Sequence, residues 1–216
     1  MKQLKEKIAE YDKNKAEQVS ADILTIMDQA TLNLRSTGIE NNALKTNDLA
    51  PEFSLNNHNN LSKSLNEYLK ESIIILSFYR GGWCPYCNME LHALQEHLPE
   101  IEKLGARLVA ISPEVPDHSL STHEKNELVF DILYDQGNTV AKEYGLVFKL
   151  PDVLRPIYDK FGLDIPDHNG DDTFELPMPA TYIINQQGKI IYHFVNSDYT
   201  RRAEPSDLIE IIKKIQ

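Results

Sequence analysis

Apolar residues near the start of the chain recur every three or four positions, which is the spacing of an α-helix. Between residues 2 and about 36 they alternate with Lys, Glu and Asp, so the pattern predicts one or two amphipathic helices. Gly38 is a plausible end for this segment, and the stretch 41–48 is typical of a loop. We expect the helices to pack on the rest of the chain or on a second subunit, where their apolar strip could form a homodimer interface.

After Pro51 the pattern changes to short apolar strands that alternate with helical segments. Strands are predicted at 53–55, 73–79, 106–112, 131–134, 180–184 and 189–195. Helices are predicted at 61–69, 89–101, 122–128, 138–144, 157–161 and 206–215. This alternation is typical of an α/β protein in which helices cover a sheet.

Residues 150–176 break the alternation. They contain three prolines and an acidic stretch at 167–172, and only one brief helix is predicted among them. We interpret them as an insertion that flanks the functional site. The sequence thus predicts an N-terminal helical extension at 1–43 and one domain at 44–216 that carries the insertion.

The overall composition narrows the class of protein and its surroundings. The 216 residues are 41% hydrophobic and contain no run of about eighteen apolar residues, so we expect a globular protein without a membrane partner. The formal net charge of −11 and the isoelectric point near 5.1 would repel phosphate backbones, which argues against nucleic acid. Two cysteines can form only one disulfide, which is too few to stabilise a secreted chain of this size, and no apolar signal peptide is visible. We therefore expect a cytoplasmic protein.

The two cysteines of the chain are separated by only two residues, in a place that favours redox chemistry. Cys84 and Cys87 follow the predicted strand 73–79 after a Gly81-Gly82 break, and Cys84 falls where a helix would begin. Unpaired amide donors and the positive end of the helix dipole favour a thiolate there. A thiolate attacks disulfides and peroxides and a neighbouring thiol can resolve the product, so the pair could form a disulfide within one chain.

The residues next to the cysteines complete the motif Trp83-Cys84-Pro85-Tyr86-Cys87. Pro85 restrains the loop between the sulfurs, and Trp83 would cover that loop. Both features suit a redox turn, although packing alone could also explain them.

Four stretches of the chain carry a resemblance to a known family. They are Leu49-Ala50-Pro51-Glu52-Phe53-Ser54-Leu55, Phe78-Tyr79 followed by Cys87, Tyr134-Asp135 before a helix that ends at Tyr144-Gly145, and the hairpin around 185–190. Together they resemble the peroxiredoxin branch of the thioredoxin superfamily, which includes the peroxidase component of alkyl hydroperoxide reductase and the thiol-specific antioxidants. The resemblance covers about 44–214 and implies a thioredoxin-like fold, with a central mixed sheet flanked by helices.

The active-site pattern of that family is a proline, three residues, a threonine or serine, two residues and the cysteine that attacks peroxide. Cys87 takes the place of that cysteine, but Arg80 replaces the proline and Cys84 replaces the threonine. The later site arginine of the family falls on Pro179, where thioredoxins have a cis-proline. The chain therefore resembles a peroxiredoxin that carries a thioredoxin-like or glutaredoxin-like motif.

Three of these features have alternative interpretations. Arg80 could supply a cation to a thiolate or to the departing oxygen, or it could be a loop residue that faces solvent. Pro179 is predicted to follow a cis peptide bond beside the sulfurs, with a trans proline opening an edge strand as the alternative. Arg201 or Arg202 could reach the site, although a solvated turn before the last helix is the preferred interpretation.

The residues alone leave open which sulfur attacks. In a peroxiredoxin-like role Cys87 attacks peroxide and Cys84 resolves, whereas in a thioredoxin-like role Cys84 is the exposed nucleophile. We favour a thiol-dependent peroxidase that acts through Cys87 on hydrogen peroxide or organic hydroperoxides without a cofactor. The resemblance implies re-reduction by thioredoxin or a glutathione system. The alternatives are a protein disulfide oxidoreductase and, in another class, a redox sensor or a metal-binding module.

The metal alternative depends on Cys84, Cys87 and His92, whose residue types and spacing resemble those of metal ligands. A closed zinc site needs four ligands, and no second pair has a fitting spacing. We therefore predict no metal and place His92 on the surface or in the core.

Overall fold

The computed structural model of the protein describes residues 2–215 and has an α/β architecture. Its strands are β1 (Ser54–Asn57), β2 (Ser62–Ser64), β3 (Ile73–Phe78), β4 (Ala106–Ser112), β5 (Asp131–Tyr134), β6 (Val147–Lys149), β7 (Glu175–Pro177), β8 (Ala180–Ile184) and β9 (Ile190–Val195). Its α-helices are α1 (Leu4–Gln18), α2 (Ala21–Ser36), α3 (Leu65–Glu71), α4 (Pro85–Lys103), α5 (Pro116–Lys125), α6 (Thr139–Glu143), α7 (Arg155–Lys160), α8 (Ile165–Asn169) and α9 (Pro205–Ile215). Along residues 2–215 no helix combines the length and the apolar composition that crossing a bilayer requires.

The central sheet has the strand order β2-β1-β5-β4-β3-β8-β9. β3 pairs in parallel with β4, and β4 with β5, whereas β8 runs antiparallel to both β3 and β9. β3 takes a central position because its residues are apolar on both faces. Ile75 lies in the apolar cluster with α4 and α9, whereas Ile74 and Leu76 lie in the cluster with α3 and α6. The predicted mixed sheet between layers of helices is thus confirmed.

The helix predicted at 61–69 begins later than the pattern indicated. Ser62–Ser64 instead pairs with β1 as an antiparallel strand, so the chain enters the sheet through a hairpin. Ser64 then starts α3 with a capping box, because its hydroxyl accepts a hydrogen bond from the Glu67 amide and the Glu67 carboxylate accepts one from the Ser64 amide. The predicted helix boundary was wrong because the serine cap outweighs the apolar Leu61.

The helix predicted at 122–128 lies earlier in the chain, at α5. Pro116 occupies its first turn, where a missing backbone N–H costs nothing. Pro116 therefore marks the start of this helix, six residues before the predicted one.

The turn between β3 and α4 positions the two cysteines. Cys84 is the N-cap of α4 and has an extended backbone, and Pro85 occupies the first helical position. Gly81 has a φ of +148°, which other residues rarely adopt. A Cβ atom on Gly82 would lie 1.8 Å from Thr122 Oγ1. Both glycines are therefore needed for the tight turn that leads into α4 beside Thr122.

The N-terminal extension forms two helices, α1 and α2, that pack on the rest of the chain. α1 places Leu4 and Ile8 in the apolar cluster with α4 and α9. The Glu204 carboxylate accepts hydrogen bonds from the Leu4 and Lys5 amides, at 3.1 and 2.6 Å, and so satisfies two donors at the start of α1. α2 places Ala30 in a third apolar cluster.

That third cluster joins α2 to residues 150–176. The segment contains α7, α8 and β7, and β7 pairs with β6 in a separate two-stranded sheet. Leu154, Ile157 and Ile165 are buried in the cluster with Ala30. Trp83 packs against the same cluster, so the segment lies beside the cysteine turn.

Replacement of Leu4 by alanine should destabilise the whole protein, because Leu4 is only 2% exposed within the main core. We expect the free energy of unfolding, measured by urea denaturation, to fall by about 2–4 kcal/mol. Leu32→Ala is the matched control, since Leu32 on α2 is 56% exposed, and it should change that free energy by less than about 0.5 kcal/mol. Equal effects of the two variants would show that α1 does not share the core.

Candidate active site

The two sulfur atoms lie together at the N-terminal end of α4. Cys84 is the N-cap residue and Cys87 lies in the first helical turn, so both are close to unpaired helix amides. Neither cysteine forms a disulfide, and neither has any exposed surface. The structure therefore brings the predicted pair together, but Cys84 is not the exposed nucleophile of the thioredoxin-like alternative.

Arg80 is a buried partner of Cys84. Its side chain is 3% exposed, and Nη2 donates a hydrogen bond to Cys84 Sγ at 3.3 Å. Nη1 donates to the Tyr158 hydroxyl at 3.2 Å. The guanidinium also lies 4.8 Å from the ring centroid of Trp83 and 4.2 Å from that of Tyr199, within the range of cation–π attraction. The alternative in which Arg80 faces solvent was wrong, because aromatic side chains enclose it.

Arg202 is a second buried arginine of the site. Its Nη2 lies 3.5 Å from Cys87 Sγ, and its Nε lies 2.5 Å from Glu90 Oε2. The side chains of Arg202 and Glu90 are 1% and 3% exposed. The preferred interpretation of a solvated turn was therefore wrong for Arg202, whereas the side chain of Arg201 is 71% exposed.

Glu90 was missed by the sequence reasoning. It lies three residues after Cys87 on α4 and is buried, and its Oε1 accepts a hydrogen bond from Thr181 Oγ1 at 3.2 Å. Burial raises the pKa of Glu90, while Arg202 and Thr181 oppose that shift. The spacing of three residues from Cys87 was the only signal in the sequence, because such a spacing places both on one helix face.

The two thiols differ in ionisation. Burial raises the pKa of Cys84, but the hydrogen bond from the Cys87 thiol and the charges of Arg80 and Arg202 outweigh burial and hold that pKa well below its usual value. Burial, together with the hydrogen bond to Cys84 and the charge on Cys84, raises the pKa of Cys87 well above its usual value. The two thiols therefore titrate as a coupled pair, with the lower pKa at Cys84 and the higher pKa at Cys87.

Glu114 fixes the glycine turn that precedes the cysteines. Its carboxylate is 1% exposed and accepts hydrogen bonds from the Gly82 amide, at 3.0 and 2.9 Å, and from Thr122 Oγ1 at 3.1 Å. His168 Nδ1 lies 3.1 Å from the same carboxylate. These contacts satisfy a buried charge and hold the turn in place. No local pattern in the sequence pointed to Glu114.

Tyr86, between the two cysteines, is covered by α1. It is 3% exposed, its hydroxyl donates to Asp12 Oδ1, and Lys15 Nζ donates to that hydroxyl at 3.1 Å. The Tyr86 ring meets the rings of Tyr11 and Tyr199 edge-on, with centroids 5.2 and 5.4 Å apart. The N-terminal extension therefore closes over the cysteine turn.

The remaining predicted site residues lie around this centre. Trp83 is half-buried against Arg80, and Pro85 is exposed at the start of α4. The prediction of a cis bond before Pro179 was wrong, since residues 2–215 contain no cis peptide bond. Pro179 instead separates β7 from β8 as a trans proline, because both neighbouring segments are extended and paired.

His92 stands apart from the sulfurs. Its side chain is 55% exposed, and Nε2 lies 3.4 Å from Glu96 Oε1 one helical turn away. Of the two positions that the sequence left open, the surface and the core, His92 takes the surface. Within the described part of the chain, no group of three or more His, Cys, Asp and Glu residues could hold a metal ion.

Two free, buried cysteines at the start of a helix that follows a central strand of a mixed sheet are the features of a thiol-dependent oxidoreductase of thioredoxin-like fold. The model of the AhpC/TSA family matches residues 46–193, which is more than half of the chain. The protein therefore belongs to the AhpC/TSA family.

Curated relatives and solved structures agree with this assignment. The chain is 24% identical to the chloroplastic peroxiredoxin Q of Triticum aestivum over 180 residues, which covers 83% of this chain and 72% of the relative. It is 28% identical to peroxiredoxin Bcp of Escherichia coli over 105 residues, which covers 49% of this chain and 67% of the relative. Among solved structures, peroxidoxin BcpB of Mycobacterium tuberculosis has a TM-score of 0.64 at 18% identity and is similar over 80% of this chain and 99% of its own.

Removal of the Arg80 charge should raise the pKa of the Cys84 thiol, because that charge and its hydrogen bond help to hold the pKa low. We expect Arg80→Met to shift the pH midpoint of thiolate formation upwards, measured by ultraviolet absorbance of the thiolate and by the pH profile of iodoacetamide alkylation. As the pH falls, the variant should lose its thiolate at a higher pH than wild type does.

Arg201→Met is the matched control for that titration. It removes the same charge from an exposed neighbour of Arg202 that pairs with Asp198, so the midpoint should stay at the wild-type value. An unchanged midpoint in Arg80→Met would contradict the proposed role of Arg80.

Proposed function

We propose that the protein is a thiol-dependent peroxidase in which Cys84 and Cys87 cycle between a dithiol and a disulfide. The observation that carries this proposal is the pair of fully buried sulfurs at the start of α4, with Arg80 Nη2 3.3 Å from Cys84 Sγ and Arg202 Nη2 3.5 Å from Cys87 Sγ. A thiolate beside a thiol can both attack an oxidant and resolve the product within one chain. Membership of the AhpC/TSA family and the peroxiredoxin relatives support the same chemistry.

The first step forms a bond from Cys84 to oxygen. The thiolate attacks the terminal oxygen of a hydroperoxide, the S–O bond forms, and the O–O bond breaks with its electron pair on the departing alkoxide. Arg80 Nε and Trp83 Nε1 are buried N–H groups without a hydrogen-bond partner among residues 2–215. They could donate to the peroxide oxygens as negative charge develops there.

The second step closes the disulfide. The Cys87 thiol gives its proton to the alkoxide, which leaves as an alcohol, and the Cys87 thiolate attacks the Cys84 sulfenic acid. The S–S bond forms and hydroxide leaves, which becomes water after protonation. Arg202, 3.5 Å from Cys87 Sγ, would stabilise the Cys87 thiolate as it appears, and Glu90 holds Arg202 in position.

The assignment of Cys84 as the attacking sulfur differs from the sequence-based preference for Cys87. The position of Cys87 in the pattern of the family favours Cys87, whereas the contact of Arg80 Nη2 with Cys84 Sγ and the lowered pKa of Cys84 favour Cys84, because a thiolate attacks and a thiol does not. The charge on Cys84 also raises the pKa values of Tyr11 and Tyr199, after the larger effect of burial.

Burial also favours a small oxidant over a protein disulfide. A disulfide reductase must present its nucleophilic sulfur to a second macromolecule, and Cys84 and Cys87 have no exposed surface. We therefore place the thioredoxin-like disulfide oxidoreductase second. A thioredoxin or glutathione reductant, a cytoplasmic location and a homodimer are compatible with the proposal and remain predictions.

Rapid mixing with cumene hydroperoxide tests the chemistry and the roles of the two sulfurs. Wild type should consume peroxide much faster than a free thiol and form an intramolecular disulfide, detected by mass spectrometry after alkylation. Cys84→Ser should lose fast consumption, whereas Cys87→Ser should react once and accumulate a sulfenic acid that dimedone traps.

The reverse pattern, fast reaction in Cys84→Ser and none in Cys87→Ser, would return the attacking role to Cys87. An insulin reduction assay serves as the comparison for the second candidate function. Rapid insulin reduction together with peroxide consumption no faster than that of a free thiol would overturn the peroxidase proposal.

A further inference from the structure

Arg80 is a buried cation that contacts a sulfur rather than a carboxylate. It is 3% exposed. Nη1 donates to the Tyr158 hydroxyl and Nη2 to Cys84 Sγ, while Nε has no hydrogen-bond partner in the part of the chain that the structure describes. Arg202 differs, because its Nε lies 2.5 Å from the Glu90 carboxylate. An ionised Cys84 sulfur is therefore the negative charge that balances Arg80.

Closure of the disulfide would remove this negative charge. Both sulfurs of a disulfide are neutral, and a neutral sulfur is only a weak hydrogen-bond acceptor. The rings of Trp83 and Tyr199 that contact the guanidinium carry no net charge. Burial of a guanidinium without an anion is strongly unfavourable. The oxidised site therefore calls for an anion from the solvent.

The cavity beside the cysteine turn has the charge and the size that a small anion requires. Its volume is about 270 Å³, well above the roughly 15 Å³ that one water-sized guest needs. The charged residues that line it are Arg80 and Lys15, both cations, and no Asp or Glu is among its described lining residues. Trp83 also lines it, and Trp83 Nε1 is a buried N–H group without a partner among residues 2–215. The lining residue Phe161 is 42% exposed, so ions can enter from the solvent.

We propose that the disulfide form of the protein binds one small monovalent anion in this cavity, against Arg80 and the Trp83 N–H group, and that reduction of the disulfide expels the anion. The inference rests on the dithiol–disulfide cycle of the proposed function and adds an anion site to it. An anion that binds only the oxidised form stabilises that form, and the stabilisation grows with the anion concentration. The site would thus couple the reduction potential of the protein to the concentration of the anion.

Charge and electrons balance with a dithiol as the reductant. The dithiol supplies two electrons, which break the S–S bond, and is itself oxidised to a disulfide. One of its two protons goes to Cys87, the other goes to the solvent, and Cys84 is left as the thiolate beside Arg80. The bound anion leaves as this thiolate appears, so Arg80 keeps one negative partner throughout.

The site should select a monovalent anion. Lys15 Nζ already donates to the Tyr86 hydroxyl, which donates to Asp12, so Arg80 is the charge that remains to be balanced. A dianion such as sulfate would bring an excess charge among mostly aromatic and aliphatic side chains, and its desolvation costs more. Bromide is therefore the probe, and sulfate at equal ionic strength is the control salt.

Fluorescence of Trp83 reports on the bound anion directly, because Trp83 is the only tryptophan of the chain and bromide quenches an indole that it touches. Oxidised wild type should show saturable quenching by bromide, which gives a dissociation constant. Reduced wild type, at a pH where ultraviolet absorbance shows the thiolate, should show only the linear quenching of an accessible indole. Saturable quenching of equal strength in both forms would overturn the inference.

Equilibration with reduced and oxidised dithiothreitol tests the coupling. At a bromide concentration about ten times the dissociation constant, the equilibrium constant should shift about tenfold towards the protein disulfide, relative to sulfate at the same ionic strength. For a two-electron couple this shift is about 30 mV. Equal equilibrium constants in the two salts would overturn the inference.

Three variants locate the site. Arg80→Met should abolish the difference between bromide and sulfate, whereas Arg201→Met removes the same charge from a side chain that is 71% exposed and should keep the wild-type shift. Trp83→Phe keeps an aromatic ring without the N–H donor, so bromide should bind about tenfold more weakly in the redox equilibrium. A bromide shift of wild-type size in Arg80→Met, folded by circular dichroism, would overturn the inference.

None of these measurements uses peroxide, so failure of the inference and failure of the proposed function can be told apart. A wild type that binds bromide in its disulfide form, but consumes peroxide no faster than a free thiol, would support the anion site while the peroxidase proposal fails. Fast peroxide consumption, together with equal equilibrium constants in bromide and sulfate, would overturn the anion site and leave the peroxidase proposal intact.

Discussion

The site depends on two fully buried sulfurs that lie between two buried guanidinium groups. An isolated thiolate is too costly to bury, so the low pKa of Cys84 depends on the Cys87 thiol and on Arg80, which take the place of water around its sulfur. Arg202 supplies the second cation and is itself balanced by Glu90. Each member of this group lowers the free-energy cost of burying another, so the group behaves as a unit rather than as independent contacts.

The fold supplies what such a charge needs. The strand β3 ends against a glycine turn that Glu114 fixes, and the helix α4 starts directly at Cys84, so amide dipoles point at the sulfur. α1 and the segment 150–176 then exclude water from the other side. Exclusion of water strengthens every electrostatic interaction inside the site, which links the packing of Leu4 in the core to the ionisation of Cys84.

The parts of the structure that local sequence determines were the predictable ones. The apolar run of β3, the glycine break and the helix start at Cys84 depend on neighbouring residues, and the sequence predicted all three. Arg202 could not be predicted in this way, because it reaches Cys87 from 115 positions away and its burial depends on tertiary packing. Pro179 shows a different kind of error. The likeness to thioredoxins suggested a cis peptide bond before Pro179, but the paired strands on both sides do not require one.

The enclosure that favours a small oxidant also restricts the reductant. A disulfide between Cys84 and Cys87 would lie under Tyr86, which α1 holds through Asp12 and Lys15. A dithiol protein can attack that disulfide only after α1 or the cysteine turn moves, because the attacking sulfur must reach within bonding distance of one of the two. Oxidation itself removes the thiolate that Arg80 pairs with, so the disulfide state loses one of the attractions that keep the turn closed.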